Sequence, residues 1–299
     1  MNYSELREKA TWFDLCEKGV IAPYVYFRPE NKILNPGTLF KMDWFPWRAI
    51  WKNPLDPAEI EFAEQIFHLE NTAFGPQAMA IPRWVFYDCA VMPGFVSGFA
   101  MKTEALPDSM RRVLKNYPRL DWTPLSLFII IPSLKSGEWV AHNLCAVNSL
   151  LPESERLYGL GFLSKAFGLW YANVETCCGV TQWGNPAIKL HSNFGHLQVL
   201  TAYTPVHTHA HTLTYRSYVN PEVWGLFFKK QQDPNFYKMY EKCDFTLDPH
   251  SEQSMRDFHS KIMQKDASFF LSGSDVARKS LEEALEVYCP KNHPQEKSV

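Results

Sequence analysis

The 299-residue chain lacks several features that would place it at once. It has no stretch near the roughly 18 apolar residues that a membrane helix requires, and its most apolar segment, LSLFIIIP, has the length of a strand. The opening MNYSELREKATW contains no apolar h-region, which argues against a secretory signal and for a cytoplasmic protein without membrane insertion. Positive charge is not in excess: the formal net charge is -2, which excludes nucleic acid or an anionic membrane surface as the main partner. No internal repeat and no low-complexity segment occurs. The seven cysteines have no zinc-like spacing, and the odd count points to reduced, buried thiols rather than a disulfide framework.

What is present is enough apolar material for a folded core, 46% of residues against 21% charged, in a chain long enough for one large or two small domains. Aromatic residues reach 15%, with ten Trp, more than an ordinary core needs and suggestive of an apolar cleft or buried interface.

Residues 1–55 are rich in Pro and aromatics and read as an irregular arm with a short strand or two. LDPAEIEFAEQIFHLENTAFG then starts a helix, with Asp56 as N-cap, Pro57 at the first helical position, and Ile60, Ala63, Ile66, Phe67 and Phe74 on or near one face. RWVFYDCAVMPGFVSGFAMK reads as two strands around the turn dipeptide Pro93-Gly94, SMRRVLKNY as a short helix, and TPLSLFIIIPS and EWVAHNLCAV as two strands joined by LKSGE. After a helix ending at Tyr171, ETCCGVTQW is strand-like, NPAIKLHSNFG a short helix, and HLQVLTAYTPV and HTLTYRSYV two further strands. From Pro221 the tail reads as mainly helical, with SDVARKSLEEALEVY its clearest helix. This order predicts a mixed α/β fold with a mostly antiparallel sheet flanked by helices, not the βαβ alternation of a dinucleotide-binding fold.

ESERLYGLGFLSKAFGLW carries the most chemistry. Backbone N–H groups at the start of a helix collect partial positive charge, glycines allow close backbone approach, and Arg156 adds a fixed cation, a combination suited to a pyrophosphate. The alternative is a plain strand-to-helix turn. A nicotinamide site is disfavoured, because Gly159-x-Gly161 lacks the third glycine.

Asn185 stands 24 residues after Gly161 and opens NPAIKLHSNFG. Together, R156-L-Y-G-L-G161 and Asn185, Ala187, Leu190, His191 and Gly195 resemble the two best-known signatures of the GNAT acyltransferase superfamily, R/Q-x-x-G-x-G/A and N-x-x-A-x-x-L-Y-x-x-x-G-F. The resemblance covers residues 56–220, with 1–55 as an arm packing on that domain and 221–299 as a mainly helical extension. It implies a splayed sheet whose fourth and fifth strands part to admit the pantetheine arm of acetyl-CoA or another acyl-CoA. The backbone of Asn143, Leu144, Cys145, Ala146 and Val147 would hydrogen-bond that arm. The pyrophosphate would lie on Arg156 and the amides of Leu157, Tyr158, Gly159, Leu160 and Gly161, with Asn185 and Ala187 completing the cofactor site. A small-molecule or peptide amine would then attack the thioester directly.

Three departures accompany the resemblance. His191 occupies the place of the family's thiolate-protonating Tyr, and would either replace it as general acid or fill the helix face. His196 stands where Phe is usual, a change of packing. NSLLPESE lengthens the turn before Arg156. No motif marks a general base; Glu138 and His142, four apart on one strand, are the candidates, with ordinary strand positions as the alternative. His207, His209 and His211 alternate in VHTHAH. They read as exposed turn residues, as acceptor-binding groups or, more remotely, as metal ligands, and no metal is expected. Neither Ser97 nor Ser272 lies in G-x-S-x-G. The sequence thus predicts a cytoplasmic acyl-CoA-dependent N-acyltransferase, most simply an N-acetyltransferase. The alternatives are a longer-chain N-acyltransferase and a non-catalytic acyl-CoA-binding module. Oligomeric state is not set by the sequence, a homodimer being one option.

Overall fold

The computed structural model describes residues 6, 8–28, 47–91, 94–117, 119–202, 212–219, 239–264, 267–280 and 282–292. The chain divides into two compact units, Ser4–Val174 and Glu175–Val299 with Met1–Tyr3. Both are mixed α/β, and among the described residues the strand pairs within each unit are antiparallel except β1 with β2.

The first unit opens with α1 (Phe13–Glu17), followed by β1 (Ile21–Tyr26) and β2 (Ile50–Lys52). β1 is buried along its whole length and sits between β2 and β3 (Phe95–Lys102). Of the short strand or two expected within residues 1–55, β1 is an interior strand of this unit. The anticipated helix start is present in detail. Asp56 accepts from the Ala58 N–H at 2.9 Å, and a 3-10 turn over Pro57–Glu59 leads into α2 (Ile60–Phe74). The buried face of α2 differs from the expected one. Phe62, Ala63, Ile66 and Leu69 are buried together with the polar Gln65 and Glu70, whereas Ile60 is exposed.

RWVFYDCAV, expected as a strand, is a helix, α3 (Arg83–Val91). Its aromatic and β-branched residues look strand-like, but Phe86, Cys89 and Ala90 are the buried ones, at i, i+3 and i+4. The short helix is α4 (Asp108–Val113). β4 (Trp122–Pro124) pairs with β3, and β5 (Ser126–Pro132) and β6 (Glu138–Ala146) form the predicted hairpin. α5 (Leu160–Tyr171) packs closely, since a Cβ on Gly168 would lie 2.5 Å from Phe128 Cδ1 and 2.7 Å from Ser97 Oγ.

The second unit contains β7 (Thr176–Gln182), α6 (Ala187–Ser192), β8 (Leu197–Thr201) and β9 (Thr212–Tyr218), then β10 (Phe245–Leu247), α7 (Glu252–Met263), β11 (Phe269–Leu271), α8 (Gly273–Arg278) and β12 (Leu285–Tyr288). The described part of the tail thus holds three strands beside its helices. β11 pairs with β8 and β12. Leu247, Met255, Phe258, Leu271, Leu285 and Val287 share one core with Leu197, Val199, Leu213 and Tyr215. Burial of one such large side chain is worth about 1.5–3 kcal/mol, so the tail is part of this unit's core.

The helix expected over SDVARKSLEEALEVY stops at Arg278. Lys279 turns extended (ψ 154), Ser280 donates its N–H to Glu283 Oε1 at 2.7 Å, and Leu285 and Val287 are buried around the half-exposed Glu286 in strand alternation. Asp275 Oδ2 accepts the Glu286 N–H at 2.9 Å, tying helix to strand. No helix among the described residues is long and apolar enough to cross a membrane.

Candidate functional site

The predicted site residues fall in both units, with β6 and the Gly159 loop in the first and Asn185, Ala187 and His191 in the second. His207, His209 and His211 lie outside the described residues.

The segment before the loop is built by the insertion. After β6, 3-10 turns form over Val147–Leu150 and Glu153–Glu155. Asn148 grips the loop at both backbone atoms of Leu157, accepting its N–H at 2.8 Å and donating to its carbonyl at 2.7 Å. The Leu157 amide, expected to face a phosphate, donates to the Asn148 side chain in this structure. Arg156 is exposed and donates from Nε to the Leu151 carbonyl at 3.2 Å, which ties it to the insertion.

The turn itself is left-handed. Gly159 has φ +77 and precedes the first residue of α5. Leu160 N–H donates to the Leu157 carbonyl and Leu163 N–H to that of Gly159. The Gly159 and Gly161 N–H groups have no acceptor among the described residues, as the first turn of a helix leaves its amides, and both glycines are half-buried. Leu160 itself is buried.

Three residues of the N-terminal segment hold this turn. Trp12 Nε1 donates to the Tyr158 carbonyl at 2.9 Å, Lys9 Nζ lies 5.3 Å from the centre of the Tyr158 ring, and a Cβ on Gly159 would stand 2.2 Å from Leu6 Cδ1. Leu6, Lys9 and Trp12 are three apart, one side of a helical period. Their contribution was invisible in the sequence because nothing in it links residue 6 to residue 159.

Strand β6 carries a bulge. Leu144 pairs with Phe128, whereas Ala141 pairs with Ile130, so His142 and Asn143 together oppose the single residue Ile129. An extra residue interrupts side-chain alternation and re-aims the side chains beside it. The four-residue spacing of Glu138 and His142 accordingly no longer guarantees a shared face. Glu138 is buried at the hairpin end, where its Oε1 accepts from Ser133 Oγ at 3.1 Å, while His142 is exposed at the bulge.

His142 Nδ1 lies 3.1 Å from Asn143 Oδ1, and Asn143 Nδ2 donates to Glu70 Oε1 at 2.6 Å. Glu70, on α2, is fully buried, and its Oε1 also accepts the Ile81 N–H at 2.9 Å. Its Oε2 has no partner among the described residues. Leaving a buried polar atom unpaired costs about 1–3 kcal/mol. Burial holds the Glu70 carboxyl above the usual carboxylate range, against the lowering effect of the Ile81 and Asn143 hydrogen bonds. Burial, with the Glu70 charge adding to it, pushes the Cys145 thiol up. Leu144 and Ala146 are half-buried and pair with Phe128 and Ser126, and Val147 donates its N–H to the Leu125 carbonyl at 2.7 Å.

In the second unit, Asn185 Oδ1 accepts the Ala187 N–H at 2.9 Å and so opens α6. His191 is buried on that helix with its ring 5.2 Å from the Tyr215 ring, tilted by 33°. Tyr215 is fully buried. It pairs across strands with Gly179, where a Cβ would meet its hydroxyl at 2.6 Å, and burial holds its phenol well above the usual range. His196 is a packing residue: its Nδ1 accepts the Gly273 N–H at 3.1 Å, and burial lowers its pKa to about 4, leaving it neutral. Among the described residues no group of three His, Cys, Asp or Glu could hold a metal ion.

No family model matches the chain, and no curated protein matches it. Solved structures similar to it include the ribosomal-protein-S18-alanine N-acetyltransferase from Escherichia coli, at 13% identity over 56% of this chain and 91% of that one, TM-score 0.35. An aminoglycoside 6'-N-acetyltransferase from Enterococcus faecium is 9% identical over 56% and 96%, TM-score 0.39. An N-acyl amino acid synthase from uncultured soil microbes is 14% identical over 60% and 93%, TM-score 0.34. With TM-scores below 0.5, these likenesses carry no weight for the function.

Proposed function

We propose that the protein is an acyl-CoA-dependent N-acyltransferase, most simply an N-acetyltransferase acting on a small-molecule or peptide amine. The observation that carries the reading is the glycine turn. Gly159 is held left-handed at the head of α5, beside the Gly161 N–H, and both N–H groups lack an acceptor among the described residues. Two amides at the positive end of a 12-residue helix suit a pyrophosphate oxygen. Leu157 acts here through Asn148 as a positioned loop residue, and Arg156 contributes charge from the loop's edge.

In this reaction the acceptor ammonium loses a proton, its nitrogen attacks the thioester carbonyl, and the C–S bond breaks as the C–N bond forms. The chain's residues would orient the two substrates, take the first proton and return one to the thiolate. His142 and Glu138 are the candidate bases and His191 the candidate acid. A second reading, a non-catalytic acyl-CoA-binding module, is favoured by the burial of His191 against Tyr215.

Calorimetry with CoA and acetyl-CoA, followed by thiol release from acyl-CoAs of increasing length with a panel of amines, tests these readings. Binding with thiol release supports the enzyme, and binding without release supports the module. No binding at high micromolar CoA overturns both. Release confined to longer chains would replace acetyl by long-chain transfer. If thiol release by His191→Phe matches the parent across pH, His191 is not the acid.

A further inference from the structure

We propose that Glu70, acting through Asn143, positions His142 as the general base of the reaction. The proposal rests on the acyltransferase reading for its substrate, but its structural core does not.

Hydrogen-bond polarity assigns the chain of contacts. The Ile81 N–H donates to Glu70 Oε1, so that oxygen is an acceptor. The Asn143 atom facing the same oxygen at 2.6 Å must therefore be its NH2 group. This turns Asn143 Oδ1 toward His142 Nδ1, at 3.1 Å, and an amide oxygen can only accept. His142 Nδ1 must carry hydrogen, which leaves the lone pair of a neutral imidazole on Nε2. The assignment holds for the ionised carboxylate and equally for a carboxyl protonated on its unpartnered Oε2, either of which leaves Oε1 accepting.

The fold explains why these residues meet. In a regular strand, adjacent side chains point to opposite faces, and His142 would not reach its neighbour. The bulge at residues 142 and 143 removes that constraint. It leaves His142 exposed while Asn143 reaches inward to a fully buried carboxyl from α2. Cys145 is a titratable neighbour of Glu70, while Glu138 is engaged with Ser133 at the hairpin end.

Chemically, His142 Nε2 takes one proton from the acceptor ammonium, and Nδ1–H stays on Asn143. The neutral amine forms the C–N bond as the C–S electron pair leaves on sulfur. The second amine proton passes to the thiolate, giving CoA thiol, and the imidazolium returns its proton to solvent. Asn143 and Glu70 touch no reacting atom and are positioning residues.

The test begins with the free full-length protein. Long-range proton–nitrogen NMR of neutral His142 is expected to show a pyrrole-like Nδ1 and a pyridine-like Nε2. Asn143→Ala is expected to return His142 to the Nε2–H form common in water. A wild-type Nε2–H tautomer, or an Nδ1–H tautomer that persists in Asn143→Ala, overturns the proposal. Thiol release from acetyl-CoA with an accepted amine is then compared. Glu70→Ala, Asn143→Ala and His142→Gln, each with a wild-type-like amide spectrum, are expected to lower kcat about 10- to 100-fold with KM for acetyl-CoA unchanged. Unchanged kcat in His142→Gln overturns the base assignment. If CoA does not bind while the tautomer is as stated, the acyltransferase reading fails and the base assignment fails with it, but the Glu70–Asn143–His142 positioning stands.

Discussion

Replacing Gly159 by Ala probes the loop through two separable penalties. The first is conformational: Gly159 sits at φ +77, and an L-residue held there pays about 1–2 kcal/mol. The second is steric. The new Cβ would stand 2.2 Å from Leu6 Cδ1, whereas ordinary contact begins at 3.4 Å. Leu6 is fully buried, so it has no solvent space to retreat into, and overpacking of this kind costs about 1–3 kcal/mol. Gly159→Ala alone is therefore expected to destabilise by about 2–5 kcal/mol. Leu6→Ala removes the obstructing methyl at a cost of its own, about 2–5 kcal/mol for a buried Leu. In that background only the conformational part of Gly159→Ala survives. The double-mutant cycle should thus show a coupling of about 1–3 kcal/mol, with the double variant more stable than the sum of singles predicts. Urea denaturation of the four proteins at equal m-value measures it. An identical Gly159→Ala cost in both backgrounds, or a cost below about 0.5 kcal/mol, would refute the placement of Leu6 against the turn.

Two further outcomes test the surroundings. Asn148→Ala removes both side-chain hydrogen bonds to Leu157 and is expected to cost about 1–3 kcal/mol; with the Leu157 amide released, its hydrogen exchange should accelerate, and an unchanged exchange rate would contradict the grip. His196 has its folded-state pKa depressed to about 4, below its ordinary 6.5. The unfolded chain therefore takes up the proton first as pH falls. The associated stability is full above pH 6.5 and is lost toward pH 4, by roughly 3 kcal/mol at most. His196→Gln should flatten the stability–pH slope in this window, and parallel curves for the two proteins would falsify the buried neutral imidazole.

Local chemistry made much of this protein legible in one dimension. The Asp56–Pro57 helix start, the β5–β6 hairpin around LKSGE, and the order β6, loop, α5 from Glu138 to Tyr171 all depend on residues near one another in the chain, and all are present. Where two periods competed, the sequence misled. RWVFYDCAV carries strand-like residues on a helical burial pattern, and LEVY lies beside helix formers but pairs as a strand with β10 and β11. Burial decides such cases, and burial depends on what packs against the segment.

Of the candidate site, composition and spacing pointed to the glycine turn and to His142 on its strand, and the family resemblance added Asn185. Three things were decided by tertiary structure alone: Asn148 taking the Leu157 amide, Leu6 filling the space a Gly159 side chain would need, and Glu70 reaching Asn143 across 73 positions. The bulge is the clearest instance. One extra residue in β6 leaves no mark in EWVAHNLCAV, because register is a relation between two strands rather than a property of either. A sequence specifies turns, caps and periods through nearest-neighbour sterics and hydrogen bonding. Which buried carboxyl meets which amide is set only when the elements pack and each polar group must find a partner.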